Sequence, residues 1–194
     1  MIKTICSKLI IKNYLLIFDL DGTLVNTDEV NFLSYKEAIK ITKDLDLDFL
    51  HDTSERFTRD KLYSIMDDLT AQEYENIIEI KNNVYQKYLH KSKINDYVLK
   101  FVERFSGENK IVLATNSHKD RAKMVLSYHD LIKFFDYIFY KEDYGDNNKF
   151  THVLYFFNIS PNLVIIFEND EEEIRKAIFS GIQDKNIINI FNMR

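Results

Sequence analysis

The stretch Phe-Asp-Leu-Asp-Gly-Thr-Leu-Val at residues 18–25 closes an apolar run that begins at residue 14. A run of this length is typical of a buried strand. Asp19 and Asp21 therefore lie where the strand leaves its sheet, and both can point into one site. Carboxylates at the end of a buried strand are costly unless a cation or hydrogen bonds compensate their charge. A turn explains Asp21 and Gly22, but the whole string indicates a functional site.

Other short apolar runs in the chain also have the length of buried strands. They occupy residues 110–114, 137–140 and 163–167, and residues 187–190 resemble a further strand. Helix signals separate them, because Asn95 precedes a helix-like segment at 96–105 and Ser117 precedes another at 118–128. This alternation predicts an α/β fold with a Rossmann-like parallel sheet flanked by helices. Ligands of such sheets bind at the carboxyl ends of the strands.

Residues 26–93 differ from the rest of the chain because they contain no convincing strand. They consist of successive amphipathic segments, of which the best marked begins at Thr70. Thr70 and Glu73 have the spacing of a capping box. We therefore predict a small all-helical insert at 26–93, within an α/β core formed by residues 1–25 and 94–194.

Composition limits the classes of function. The chain has 194 residues, of which 45% are hydrophobic and 29% charged, as in a globular protein with one core and a small additional module. A net charge of -5 argues against binding to nucleic acid. Cys6 is the only cysteine, and no apolar run reaches the roughly 18–20 residues of a membrane span. We expect a cytoplasmic protein whose partner is a small molecule and neither nucleic acid nor a membrane, with the oligomeric state left open.

The Asp-x-Asp-Gly-Thr string at residues 19–23 resembles the first motif of the haloacid dehalogenase (HAD) superfamily. The resemblance implies that Asp19 is a nucleophile that becomes transiently phosphorylated. It also implies that Asp21 protonates the leaving oxygen and then activates water. Mg²⁺ would be the cofactor, bound by Asp19 and by the main-chain carbonyl of Asp21.

The second motif of the superfamily is a hydrophobic strand that ends in Thr or Ser. The run at 111–114 leads into Thr115, Asn116 and Ser117. The resemblance implies that Thr115 and Asn116 bind phosphate, where a hydroxyl and backbone N–H groups near a helix start form an anion site. Ser117 is interpreted as the cap of the following helix.

The third motif is a lysine at or just before the start of a helix. Residues 145–152 resemble it, with Lys149 ahead of several apolar positions. A fixed positive charge there would neutralise both the nucleophile and the transferring phosphoryl group. Lys141 is the competing candidate in the same loop.

The fourth motif places acidic residues after a buried strand, and Glu-Asn-Asp follows the run at 163–167. Glu168 would be a metal ligand. Asn169 stands where the beta-phosphoglucomutase and phosphoglycolate phosphatase branch has a metal-binding Asp, and its neutral carbonyl oxygen should bind Mg²⁺ more weakly. Asp170 is a further candidate ligand, but with Glu173 it also has the spacing of a helix cap and capping box.

The four motifs together imply a HAD-type phosphatase that hydrolyses a small phosphomonoester through an aspartyl phosphate. Residues 26–93 resemble the small α-helical cap of the superfamily. Two alternatives stay open: a sugar phosphomutase, and a catalytically impaired binding or regulatory protein, which Asn169 motivates. Arg56 and Arg59 are candidates for holding a second substrate anion, although a solvated charged face explains them better.

Overall fold

The computed structural model of the protein describes residues 14–46 and 57–190. The chain divides into two compact units. One contains the described residues up to Leu24 and from Ile94 onward, and the other those from Val25 to Lys93. Cys6 and Arg56 lie outside the described residues.

The secondary structure alternates between strands and helices in the first unit and is mostly helical in the second. None of the helices in residues 14–46 and 57–190 is both long and apolar enough to cross a lipid bilayer. In chain order the elements are β1 (Leu15–Phe18), β2 (Val25–Asn26), α1 (Asp28–Lys43), α2 (Arg59–Ile65), α3 (Ala71–Val84), β3 (Lys93–Ile94), α4 (Asp96–Phe105), β4 (Lys110–Ala114), α5 (Lys119–Tyr128), β5 (Tyr137–Phe139), α6 (Lys141–Tyr144), α7 (Lys149–Phe157), β6 (Val164–Glu168), α8 (Glu171–Phe179) and β7 (Ile187–Asn189).

A parallel five-stranded sheet forms the centre of the first unit, in the order β5-β4-β1-β6-β7. The predicted α/β fold is therefore confirmed. Phe18 at the end of β1 lies opposite Leu113 of β4 and Phe167 of β6. Because the strands are parallel and in this register, the residues that follow β1, β4 and β6 meet at one edge of the sheet.

Successive side chains of β1 point to opposite faces of this sheet. Both faces are apolar, and helices cover each of them. Leu15 and Ile17 belong to a buried cluster with Phe150 and Val153 of α7. On the opposite face, the Phe18 and Phe167 rings stack with centroids 4.3 Å apart, and Phe101 of α4 packs 5.3 Å from Phe167. Burial on both faces explains why the strands are apolar throughout instead of alternating.

The second unit is built from α1, α2 and α3 around its own core. Thr70 caps α3 through the predicted capping box: its side chain accepts from the Glu73 N–H, and Glu73 accepts from the Thr70 N–H at 2.9 Å. A short two-stranded sheet pairs β2 with β3. Arg59 is exposed at the start of α2. Buried residues of the core are Tyr35, Ala38, Ile39, Phe57, Leu62, Met66 and Ile77.

Candidate active site

Main-chain hydrogen bonds hold the ends of neighbouring strands together at the candidate site. The Asp19 N–H donates to the Phe167 carbonyl at 3.0 Å, and the Thr115 N–H donates to the Phe139 carbonyl at 3.0 Å. The side chain of Lys149, the first residue of α7, reaches the same region. Residues far apart in the chain are thus assembled at the carboxyl edge of the sheet.

Lys149 bridges two carboxylates in the centre of the site. Its Nζ lies 3.0 Å from Asp19 Oδ1 and 2.9 Å from Glu168 Oε2, and its side chain is only 1% exposed. Glu168 is equally fixed, since its other oxygen accepts the N–H groups of Asn169 and Asp170. The competing lysine, Lys141, pairs instead with Asp146 at 3.3 Å.

Burial and their mutual contact shift the pKa values of Asp19 and Lys149. Burial and the charge of Glu168 raise the pKa of Asp19 to about 7, although Lys149 acts in the opposite direction. Burial disfavours the charge of Lys149, but the adjacent Asp19 and Glu168 outweigh it and hold its pKa above the usual range. The ammonium is therefore permanently charged, while the ionised form of Asp19 is less favoured than that of an ordinary carboxyl group.

Glu173 is a third carboxylate near Lys149. From its spacing to Asp170, the sequence predicts that Glu173 takes part in a capping box. Asp170 does cap α8, accepting from the Glu172 and Glu173 N–H groups at 2.7 and 3.1 Å. The predicted capping box is wrong, however, because the Asp170 N–H donates to Glu168. The Glu173 carboxylate instead lies 3.6 Å from Lys149 and 2.8 Å from Lys176.

The loop after β4 presents hydroxyl groups toward the site. Thr115 Oγ1 accepts the Ser117 N–H at 3.1 Å, which fixes the turn and leaves the Thr115 hydroxyl proton available as a donor. The interpretation of Ser117 as a helix cap is wrong. The N-cap of α5 is His118, and the Ser117 hydroxyl donates to the Asp21 carboxylate.

Arg121 is a residue of the site that the sequence analysis missed. Its guanidinium contacts Asp21 Oδ2 at 3.1 Å and also contacts the Ser117 hydroxyl. Arg121 lies in the first turn of α5, and Ser117 lies in the loop just before the helix. The four-residue spacing between Ser117 and Arg121 was the sequence signal for this contact, but spacing alone does not show that both side chains meet Asp21.

Asn169 occupies the position of an expected metal ligand, but its side chain also joins two loops. Its Oδ1 accepts the Thr23 hydroxyl at 2.8 Å. Gly22 has φ +87, and a Cβ there would lie 2.6 Å from Asn169 Nδ2. The loop after β1 can therefore approach Asn169 only because residue 22 is glycine.

The donor chemistry of these residues fits Mg²⁺, which prefers oxygen ligands. Within residues 14–46 and 57–190, no three His, Cys, Asp or Glu side chains are grouped to hold a metal ion. A site would therefore combine the carboxylates of Asp19 and Glu168 with the Asn169 amide oxygen and the Asp21 carbonyl. Burial, and then the charge of Glu168, raise the pKa of Asp19, and a divalent cation beside it would favour its ionised form.

Comparisons with known proteins match most of the chain. A family model described as haloacid dehalogenase-like hydrolase matches residues 16–185. The phosphorylated carbohydrates phosphatase of Thermotoga maritima is 27% identical over 180 residues, which cover 86% of this chain and 81% of that protein.

Solved structures share the fold. A Thermotoga maritima protein assigned as a beta-phosphoglucomutase has a TM-score of 0.70 at 24% identity, covering 91% of this chain and 84% of that one. A Lactobacillus plantarum protein assigned as a phosphoglycolate phosphatase has a TM-score of 0.75 at 12% identity, with coverages of 94% and 89%. At these identities the likeness concerns the fold alone.

Proposed function

Because the chain belongs to the haloacid dehalogenase-like hydrolase family, we propose that it is a magnesium-dependent phosphatase that hydrolyses a small phosphomonoester. The observation that carries the proposal is the buried contact of Asp19 with Lys149, beside the hydroxyl-bearing loop after β4. A nucleophilic carboxylate, a fixed cation and an anion-binding loop are what phosphoryl transfer to an aspartate requires.

In the first half-reaction, an Asp19 oxygen attacks the phosphorus atom as the bond from phosphorus to the leaving oxygen breaks. Asp21 donates a proton to that oxygen, so the product leaves as an alcohol. Lys149 and the Thr115 hydroxyl stabilise the negative charge on the transferring group. Asp19 must be ionised to attack, and Lys149 favours that state.

In the second half-reaction, Asp21 accepts a proton from water, and the water oxygen attacks the phosphorus of the aspartyl phosphate. The bond to Asp19 breaks, which releases inorganic phosphate and regenerates the carboxylate. Asp21 therefore acts first as acid and then as base. Mg²⁺, held by Asp19, Glu168, Asn169 and the Asp21 carbonyl, would neutralise charge on the phosphoryl group.

One relative supports a proposal for the substrate class. The Thermotoga maritima protein acts on phosphorylated carbohydrates, as its name states, and we propose sugar phosphates as the first compounds to test. We further propose that the helical unit acts as a cap and selects among them.

The test is release of phosphate from an aryl phosphate and from a panel of sugar and nucleotide monophosphates, with and without chelator. Asp19→Asn should lower turnover about a thousandfold or more, since it removes the nucleophile. Asp67→Asn, in an exposed turn of the helical unit, is the matched control and should retain activity. When turnover is stopped with acid, the wild-type protein should carry one phosphoryl group, which intact-protein mass spectrometry detects. The Asp19→Asn protein should carry none.

The outcomes separate the proposal from its alternatives. Isomerised sugar phosphate without net phosphate release would identify a phosphomutase. A folded wild type that turns over no substrate at high Mg²⁺ concentration would indicate the impaired binding protein. The specific observation favouring that second candidate is Asn169, a neutral residue whose Oδ1 already accepts a hydrogen bond from Thr23.

A further inference from the structure

Tyr144 connects the segment after β5 to the loop after β4. It is the last residue of α6 and is 4% exposed. Its hydroxyl lies 2.6 Å from the Thr115 carbonyl oxygen and 2.8 Å from Asn116 Oδ1. A single phenol group therefore ties together the two residues that the sequence predicts to bind phosphate.

Two other residues of α6 contact the same loop. The Lys141 N–H donates to the Ser117 carbonyl at 3.2 Å. The Glu142 carboxylate accepts the Lys119 N–H at 3.1 Å and lies 2.9 Å from His118 Nδ1. Together with Tyr144, these contacts reach every residue from 115 to 119. We refer to residues 141, 142 and 144 as the α6 clamp.

Within the clamp, Tyr144 is the residue that contacts Thr115 and Asn116, which the sequence predicts to bind phosphate. Glu142 caps the first turn of α5, and its carboxylate is substantially exposed. The Tyr144 side chain, in contrast, is buried, and its one hydroxyl proton lies between the main-chain carbonyl of Thr115 and the side-chain oxygen of Asn116. Burial also raises the pKa of Tyr144, which keeps the phenol protonated as a donor.

We propose that Tyr144 is a positioning residue for phosphate binding, acting through Thr115 and Asn116. The inference rests on the proposed function, since it assumes that this loop receives the phosphoryl group. Anion sites built from a hydroxyl and main-chain N–H groups depend on donor placement within about 0.5 Å. A side chain that fixes two consecutive residues of such a loop sets that placement without touching the substrate.

The test is the affinity for inorganic phosphate of the full chain, measured by calorimetry in the presence of Mg²⁺. Tyr144→Phe removes only the hydroxyl. It should weaken phosphate binding about threefold to tenfold, the range expected when a fixed hydrogen bond to the loop is lost. With a substrate, KM should rise more than kcat falls, because the nucleophile and Lys149 are untouched.

Two control variants separate positioning from a general loss of stability. Tyr137→Phe makes the same chemical change on the neighbouring strand β5, where the ring is 43% exposed, and should bind phosphate like the wild type. Ile182→Val creates a small cavity in the core below the sheet and lowers stability without altering the loop. It should also bind phosphate normally.

Each outcome decides the inference. Equal phosphate affinity of Tyr144→Phe and wild type would overturn it, and so would an equal weakening by Ile182→Val. A wild type that binds no phosphate would overturn both this inference and the proposed function. A wild type that binds phosphate, is weakened by Tyr144→Phe and yet hydrolyses nothing would leave the inference standing while the proposed function fails.

Discussion

The guanidinium group of Arg121 lies 3.1 Å from the carboxylate of Asp21, and the Ser117 hydroxyl donates to the same oxygen. Two donors, Ser117 in the loop before α5 and Arg121 in its first turn, thus hold the side chain proposed to transfer protons in both half-reactions. A charge-assisted contact of this kind fixes the orientation of the Asp21 carboxylate and also stabilises its negative charge.

Replacement of Arg121 should therefore affect catalysis according to the leaving group. We expect Arg121→Met to lower kcat/KM about tenfold to a hundredfold for alkyl phosphates, whose leaving oxygen needs a proton. Aryl phosphates should lose less, because their leaving groups depart without one. Lys123→Met, an exposed change on the same helix, is the control. An equal loss with both classes of substrate would contradict the positioning of Asp21.

The shifted pKa of Asp19 predicts how stability depends on pH in chelator. Its pKa is about 7 in the folded protein against 3.8 for the ordinary side chain, so the folded state binds this proton more tightly. The resulting stability is fully present below about pH 4, is lost as pH rises from about 4 to about 7, and changes little above that. Urea midpoints measured from pH 5 to 8 should fall more for wild type than for Asp19→Asn. Parallel curves for the two proteins would refute the prediction.

Loss of Lys149 should destabilise the protein because it leaves Asp19 and Glu168 buried without their cation. We expect Lys149→Met to lower the free energy of unfolding by about 3–5 kcal/mol at neutral pH. Lys141→Met removes a solvent-exposed pair with Asp146 and a contact of its ammonium with the Tyr144 ring at 5.7 Å, and it should cost less than about 1 kcal/mol. Urea denaturation measures the free energy of unfolding of both variants. Comparable decreases for Lys149→Met and Lys141→Met would contradict the claim that Lys149 stabilises the two buried carboxylates.

Restoring a charge at residue 169 should strengthen magnesium binding. Asn169→Asp keeps an oxygen for the Thr23 hydroxyl and adds a negative charge, which hard cations favour. The Mg²⁺ concentration for half-maximal turnover should fall about tenfold. The rise of Tm with Mg²⁺ should likewise begin at lower concentration. Asn83→Asp, exposed on α3, should change neither, and an unchanged Mg²⁺ requirement in Asn169→Asp would exclude residue 169 as a ligand.

The fold could be predicted from the sequence because its strands are short, wholly apolar runs separated by capped helices. Strand β4 has the predicted bounds, and β1, β5, β6 and β7 differ from theirs by a residue at one or both ends. A parallel sheet then requires the residues after its central strands to lie together. This rule anticipated that Asp19 and Glu168 would be neighbours, as their shared contact with Lys149 shows.

The rest of the site could not be predicted because it depends on side-chain directions between elements. Ser117 has the sequence signature of a cap, yet it turns toward Asp21 because the preceding loop is held by Thr115. From the sequence alone, Tyr144 has the pattern of an ordinary core residue. Its contact with Thr115 exists only because the fold places α6 against the loop after β4. Local spacing defines which face of a helix a residue occupies but not what that face meets.

The central position of β1 has a consequence for how the chain acquires its structure. Leu15 pairs with Lys110 on one side and with Val164 on the other, and both partners are synthesised long after β1. Contacts between such distant parts of a chain form slowly, because the entropy cost of closing the loop comes before the favourable energy of strand pairing. Asp19 and Lys149 therefore meet only at a late stage of folding. Until then the apolar β1 lacks both of its neighbours, which makes it a candidate site for chaperone binding on the ribosome.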